Sequence, residues 1–542
     1  MTPTFERRDL LRGGLAGAGL LILPSRLMGA PAAGFTHGVA SGDPGQGEVT
    51  LWTRYVAPGA TRLRVEVSED ARFRRSVVRG EAVASVNSDF CAKVRVAGLR
   101  SGRRYHYRFV DRDGGARSET GTTRTLPEGR VDRYRIAVVS CANATSGWFN
   151  AYAHIAARDD IDLVVHLGDY IYESPVDRSD ALPGMAAARG VLPAAETVAL
   201  ADYRARYGSY RADPDLAALH ARHPMISVWD DHETANNAWR GGARGHGKNE
   251  GSWEARKAAG MRAYDEWMPM GRAPYDRYRI GDLATLFRLE TRLVGRDRQL
   301  DVGEALAGRS DARAAIAAFR SGALADPRRT MMGTAQESWL ADGMGESVRS
   351  GRPWQVLAQQ TVMGPTLLPP GAPQWFAPGT ALDEGAQREL AQGVALAGAG
   401  IPFGLDRWDG YPAARARLLG AAQAARVNLV TLSGDSHNAW AYDLQNDGRA
   451  AGVEFAGHAV SSMGLEKRFT GDPARIAADF ARTNASLRWC DTSRRGYMLV
   501  ELTPAAVRCD WLFLPSLNTR STALLGSVSF TVAVGVNRLE RS

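Results

Sequence analysis

The chain has 542 residues, too many for one ordinary core, which implies two domains, one of them large. An apolar share of 44% and a charged share of 23% fit a folded globular protein and exclude a disordered one. The net charge of +8 comes from arginines spread along the whole sequence. No basic run is interleaved with aromatics, so no nucleic-acid-binding module is expected.

Residues 1–33 read as an export signal. Arg7-Arg8-Asp9-Leu10-Leu11 precedes a Gly/Ala/Leu stretch, Gly13 to Leu23, and small residues follow at Ala30-Pro31-Ala32-Ala33. The apolar run is too short and too rich in glycine to span a bilayer core of about 30 Å, and no later stretch reads as membrane-spanning. Adjacent arginines favour the twin-arginine route, which carries folded proteins. That export machinery is the expected partner, and the periplasm or the extracellular space the expected destination.

Residues 35–127 alternate with period two between Gly, Pro and Asp turns. Examples are Glu48-Val49-Thr50-Leu51-Trp52, Leu63-Arg64-Val65-Glu66-Val67, Lys93-Val94-Arg95-Val96 and Tyr105 to Val110. This pattern predicts an antiparallel β-sandwich of the immunoglobulin or fibronectin type, with no cluster of metal-type ligands.

After a polar joint at Pro127 to Arg133 the texture becomes α/β: short, wholly apolar strands between long helical stretches, assigned to a catalytic domain over 135–525. Four strands end in a metal-type residue. Ile136 to Ser140 runs into Cys141, and Leu163 to Leu167 into Gly168-Asp169. Met225 to Trp229 runs into Asp230-Asp231-His232, and Leu429 to Ser433 into Gly434-Asp435-Ser436-His437. A helix with an Arg-rich polar face is expected over Ala413 to Ala425. One Asp after a strand is commonly a helix cap. Four such events along the ligand-binding edge of a sheet indicate a site.

Asp169 and Tyr172 lie three residues apart on a post-strand turn, where the carboxylate can bridge two cations and the phenol can reach one. Asp230 and Asp231 are adjacent, repel each other, and call for a neutralising positive group near a buried edge. A helix cap accounts for one Asp and for Glu233, and leaves His232 and the second Asp unexplained.

The chain resembles the alkaline phosphatase D (PhoD-like) family of calcineurin-like metallophosphoesterases. The matching segments are His37 to Pro44, Ser140-Cys141, Gly168 to Tyr172, Tyr203 to Tyr210, Trp229 to Asn237 and Gly434 to His437. Weaker matches fall at Gln336 to Leu340, Glu454-Phe455 and Arg495 to Tyr497. The resemblance implies an N-terminal sandwich and a four-layer αββα catalytic domain. It makes Cys141 the replacement for an acidic metal ligand, Asp169 the bridging carboxylate and Tyr172 a phenolate ligand. Asp231 would bind the second metal, His232 would face the phosphate or leaving group, and Asp435 and His437 would close the site. Asp230 and Asn236 are additional oxygen ligands. Leu289-Glu290-Thr291-Arg292 departs from the family, which more often has Asp before Thr-Arg.

Ligand chemistry points the same way. Thiolate, phenolate, imidazole and carboxylate suit trivalent iron (Fe3+), while an oxygen set of Asp and Asn suits calcium (Ca2+). Such a pair generates hydroxide for in-line attack on a phosphomonoester or phosphodiester without a protein nucleophile. Two other readings compete: a serine esterase using Ser436, and a non-catalytic exported binding protein. Cys91, Cys141, Cys490 and Cys509 form an even set that permits disulfides without demanding them. Cys490 and Cys509 flank an expected hairpin. The stretches 180–196 and 365–405 are expected to frame the pocket.

Overall fold

The structure is a computed structural model that describes residues 33–178, 181–380 and 382–542. The export segment, with Arg7 and Arg8, lies outside the described residues. Among them, no helix is long and apolar enough to cross a membrane.

Two large sheets carry the molecule. In the ten-stranded sheet Tyr134–Val139, Leu163–His166 and Met225–Ser227 lie side by side and parallel. They are flanked on one side by the antiparallel strands Arg495–Leu502, Ala506–Leu514 and Gly526–Ala533. In the seven-stranded sheet Leu429–Ser433 runs parallel to Trp354–Ala358 and Arg449–Ala456. Alternation along these strands sends side chains to two cores. Leu286, Val356, Val430 and Phe455 join the core shared with the ten-stranded sheet. Phe287, Leu357 and Leu429 face the opposite way, against Leu340, Met344, Leu418 and Leu419. The last four sit on the helices Thr334–Arg349 and Pro412–Ala424, the second of which matches its expected position.

The four apolar strands form where the sequence places them, but not on one sheet edge. Three belong to the ten-stranded sheet and the fourth to the seven-stranded one, so the ligand-bearing loops converge across the gap between sheets. Close approach there requires glycine. A Cβ on Gly434 would lie 2.7 Å from Ser140 Oγ, and one on Gly168, at φ +106, would lie 2.4 Å from Asp230 Cβ. Gln360 bridges the two sheets by donating from Nε2 to the carbonyls of Trp229 (2.8 Å) and Leu289 (3.3 Å).

The N-terminal strands are not a detached unit. Gly34–Gly42, Glu48–Val56 and Cys91–Ala97 extend the ten-stranded sheet, with Gly42 paired in parallel to Met225. The strands Thr61–Ser68, Ser76–Ala84, Arg104–Asp111 and Gly121–Arg124 form a separate four-stranded sheet. Val39, Val49 and Leu51 from the first set share a core with Val65, Val67, Tyr107 and Phe109 from the second. Trp52 Nε1 donates to the Glu266 carbonyl at 2.9 Å and Lys93 Nζ to the Asp265 carbonyl at 2.6 Å, tying this region to the helix Trp253–Trp267.

All four cysteines are free and buried. Cys490 and Cys509 do not flank one hairpin. Cys490 lies on Leu487–Asp491 in the seven-stranded sheet and Cys509 on Ala506–Leu514 in the ten-stranded sheet, each opposite a different neighbour.

Candidate metal centre

Three of the four strand ends turn sharply to present their ligands. Cys141, Asp169, Asp435 and His437 have φ of 58°, 53°, 60° and 60°, a left-handed conformation that costs energy in residues other than glycine. Backbone bonds hold these turns together. Cys141 N donates to the Gly168 carbonyl at 3.1 Å and Ala142 N to the Asp169 carbonyl at 2.9 Å.

The result is three overlapping clusters, each with donor atoms within 4.8 Å of one another: Cys141, Asp169 and His437; Asp169, Asp231 and His232; and Asp230, Asp231 and Asp435. Asp169 belongs to two clusters and Asp231 to two. The Tyr172 hydroxyl lies 2.9 Å from Asp169 Oδ2 and 3.2 Å from His437 Nε2. Cys141, Asp169, Tyr172, Asp230, Asp231, His232, Asp435 and His437 therefore meet, and Asn236 shares Glu173 with His232. Asn236 is fastened through its backbone N–H to Glu173 Oε1 at 2.8 Å, and its side chain makes no hydrogen bond among the described residues.

Burial makes this concentration of acids expensive. It pushes Asp169 and Asp230 well above the usual carboxylate range and Asp435 up to about 6, with neighbouring carboxylates adding to the shift. The Cys141 thiol and Tyr172 phenol are raised by burial and then by Asp169. Burial also works against charge on Asp231, but Arg292 and His232 outweigh it and hold that carboxyl below its ordinary value. Burial opposes protonation of His232, and Glu173, Asp231 and Asp169 overcome it to raise the imidazole well above its ordinary value.

The donor set fits metal ions. Asp169 Oδ1, Asp230 Oδ2 and Asp231 Oδ1 are buried with no hydrogen-bond partner. A buried carboxylate oxygen without a donor is costly, and three in one place call for cations.

Two family models match the chain, "PhoD-like phosphatase" over residues 136–511 and "PhoD-like phosphatase, N-terminal domain" over residues 25–127. The chain belongs to the PhoD-like phosphatase family. It is a hydrolase acting on phosphoester bonds. Alkaline phosphatase D of Bacillus subtilis (strain 168) is 30% identical over an alignment covering 97% of this chain and 87% of that protein. A solved structure titled "Structure of PhoD" superposes with a TM-score of 0.74 at 28% identity, covering 94% of this chain and 92% of that one.

Around its clusters this PhoD-like phosphatase has a support layer whose role the sequence did not reveal. Arg292, fully buried, donates from Nε to Asp230 Oδ1, from Nη2 to Asp435 Oδ1 at 3.0 Å and from Nη1 to Asp406 Oδ2 at 2.6 Å. Arg296 Nη2 also donates to the Asp406 carbonyl at 2.6 Å. Glu290 holds the turn that aims Arg292. Its Oε1 accepts from Trp229 Nε1, Arg292 N and Leu293 N, and its Oε2 from Val294 N. This carboxylate closes the turn.

A strap at residues 461–466 braces the other side. Ser462 Oγ lies 2.7 Å from the Tyr172 hydroxyl, and the Met463 carbonyl lies 2.6 Å from His437 Nδ1, where it serves as a fixed acceptor. Arg495 Nε donates to the Ser462 carbonyl at 2.5 Å, which gives the Arg495-Gly496-Tyr497 match a structural reason. Ser436 does not form a serine-esterase dyad. Its Oγ donates to the Asn438 carbonyl at 3.0 Å and accepts from Trp440 Nε1 at 2.9 Å, while His437 faces Met463 and Tyr172.

Proposed function

We propose that this phosphatase is metal-dependent, with Cys141, Asp169, Tyr172 and His437 holding Fe3+ and Asp230, Asp231, Asp435 and Asn236 contributing to one or more Ca2+ sites. The observation that carries this reading is the trio of buried oxygens without a hydrogen bond on Asp169, Asp230 and Asp231. Cysteine, phenol and imidazole donors around one pole suit a trivalent iron, and the oxygen-rich pole suits a hard divalent cation. When bound, such ions supply an activated water as nucleophile and positive charge for the phosphoryl oxygens.

The chain's own residues then divide the remaining work. Asp169 belongs to the Cys141–His437 cluster and to the Asp231–His232 cluster, and so would link the two ends of the site. His232, its Nδ1 held by Glu173 Oε2 at 2.6 Å, offers its other ring nitrogen to the leaving-group oxygen as proton donor. Arg292 offsets the negative charge of Asp230 and Asp435 from within the protein. Phosphomonoesters and phosphodiesters are both candidate substrates, and the name of the Bacillus subtilis relative supports the first.

The architecture is read as a β-sandwich over 35–127 and a four-layer αββα catalytic domain over 135–525, following an export signal at 1–33. Export by the twin-arginine route predicts that Arg7→Lys with Arg8→Lys leaves active enzyme inside the cell, and normal export of that double variant contradicts it. Metal dependence is tested by turnover of a chromogenic phosphomonoester and phosphodiester before and after chelation, together with metal analysis. Full activity in metal-free protein overturns the proposal.

A further inference from the structure

The mouth of the site is defined by a gradient of exposure. Arg292 and Asp230 side chains are fully buried, whereas Asp435 and Asp406 are 20% and 18% exposed. Asp435 and Asp406 therefore lie on the side of this ion-pair cluster that solvent reaches. The residue after Asp406 is Arg407, and its position is set from both sides. Asp406 is clamped by Arg292 and Arg296, and Trp408, fully buried, donates from Nε1 to Gln359 Oε1 at 2.7 Å.

Nearby arginines are committed. Arg292 and Arg296 bind Asp406, Arg415 Nη1 meets Asp409 Oδ1 at 3.1 Å, and Arg495 pairs with Glu466. Arg407 is not. Its guanidinium makes no hydrogen bond or ion pair among the described residues, and its Nη1 is buried without an acceptor. Its carbon centre lies 6.0 Å from the centre of the Phe403 ring, its Nε lies beside Gly404, and its charge acts on both Asp435 and Asp409. A partly buried cation beside a carboxylate cluster, fixed through its neighbours yet bonded to nothing, is placed to receive an anion.

We propose that Arg407 is a substrate-binding residue that receives the outward-facing oxygen of the phosphoryl group, and so favours dianionic phosphomonoesters over monoanionic diesters. The proposal rests on the metal-dependent reading above. With two phosphoryl oxygens directed at the metal-binding residues, the third faces the mouth. In a monoester that oxygen carries charge and accepts a strong hydrogen bond from a guanidinium. In a diester the position holds an ester oxygen with a carbon substituent, which carries little charge and accepts weakly.

The test compares metal-loaded wild type with Arg407→Met and Arg407→Lys. The probes are para-nitrophenyl phosphate, its bis-para-nitrophenyl diester, and inorganic phosphate titrated calorimetrically. Arg407→Met is expected to keep its metal content and lower the monoester-to-diester ratio of kcat/KM about ten- to hundredfold, mainly through KM. It is also expected to weaken phosphate binding by a similar factor, with Arg407→Lys intermediate. An unchanged ratio and unchanged phosphate affinity overturn the assignment, as does an equal loss on both esters. Failure of the metal-dependent reading has a different signature, wild-type turnover that survives removal of metal. Phosphate affinity in the two variants reports on Arg407 in either case.

Discussion

His232 Nδ1 and Glu173 Oε2 lie 2.6 Å apart, both buried, while the second oxygen of Glu173 accepts the Asn236 backbone N–H. One carboxylate thus orients the candidate proton donor and anchors the chain segment behind it. A partner of this kind fixes which ring nitrogen faces the substrate. Glu173→Gln keeps the shape and removes the charge. It is expected to lower kcat about ten- to hundredfold with metal content unchanged. Steady-state kinetics with metal analysis checks this, and wild-type kcat in the variant contradicts it.

Arg292 contacts Asp230, Asp435 and Asp406 while fully buried. Arg292→Met removes the shared counter-ion of Asp230, Asp231, Asp406 and Asp435. Its unfolding free energy in metal-free protein is expected to fall by about 3–5 kcal/mol, read from urea denaturation. A variant as stable as wild type shows that the carboxylates do not depend on this guanidinium.

Gly168 stands where a side chain has no room. At φ +106, with Asp230 Cβ 2.4 Å from any added Cβ, Gly168→Ala is both strained and in collision. Loss of more than about 1 kcal/mol of stability is expected, with reduced metal content because Asp230 must shift. Calorimetric unfolding and metal analysis together decide it.

His458 is buried and neutral, lowered by burial to about 4 from an ordinary value near 6.5, and lies 3.1 Å through Nε2 from the Leu512 carbonyl. Between those pH values the unfolded chain binds more protons at this residue than the folded one. Stability from His458 is therefore intact above about pH 6.5 and lost as pH falls towards 4. Replacing it by Gln keeps a donor and removes the titration. The stability of wild type relative to His458→Gln should drop by about 1.4 kcal/mol per pH unit across that window. A difference independent of pH contradicts the assignment.

The parts of this molecule legible in sequence are those written locally. Leu163 to His166 and Leu429 to Ser433 are apolar runs that only a doubly covered strand explains, and the ligands follow them within a few residues. That Leu429–Ser433 belongs to a second sheet has no local signature, because strand pairing is a tertiary choice. Gly34–Gly42 is hidden for the same reason: part of it reads as a motif, and its role as a strand beside Met225–Ser227 depends on a partner far along the chain. Glu173, Ser462, Asp406 and Arg292 support the site from separate segments whose spacing carries no periodic signal. Only Arg292 falls within a stretch that the sequence singles out, Leu289 to Arg292. The expected hairpin flanked by Cys490 and Cys509 fails similarly, since their proximity in sequence says nothing about which sheet each strand joins.

The central claim is tested most directly by measuring metal content and phosphoester turnover together in wild type, Asp169→Ala and Ser436→Ala. Asp169 lies in two of the three donor clusters, whereas Ser436 Oγ bonds only to Asn438 and Trp440 among the described residues. The expected result is iron and calcium in wild type, loss of metal and nearly all turnover in Asp169→Ala, and near-normal values in Ser436→Ala. Turnover that persists in metal-free Asp169→Ala, or vanishes in Ser436→Ala with its metals retained, contradicts the account.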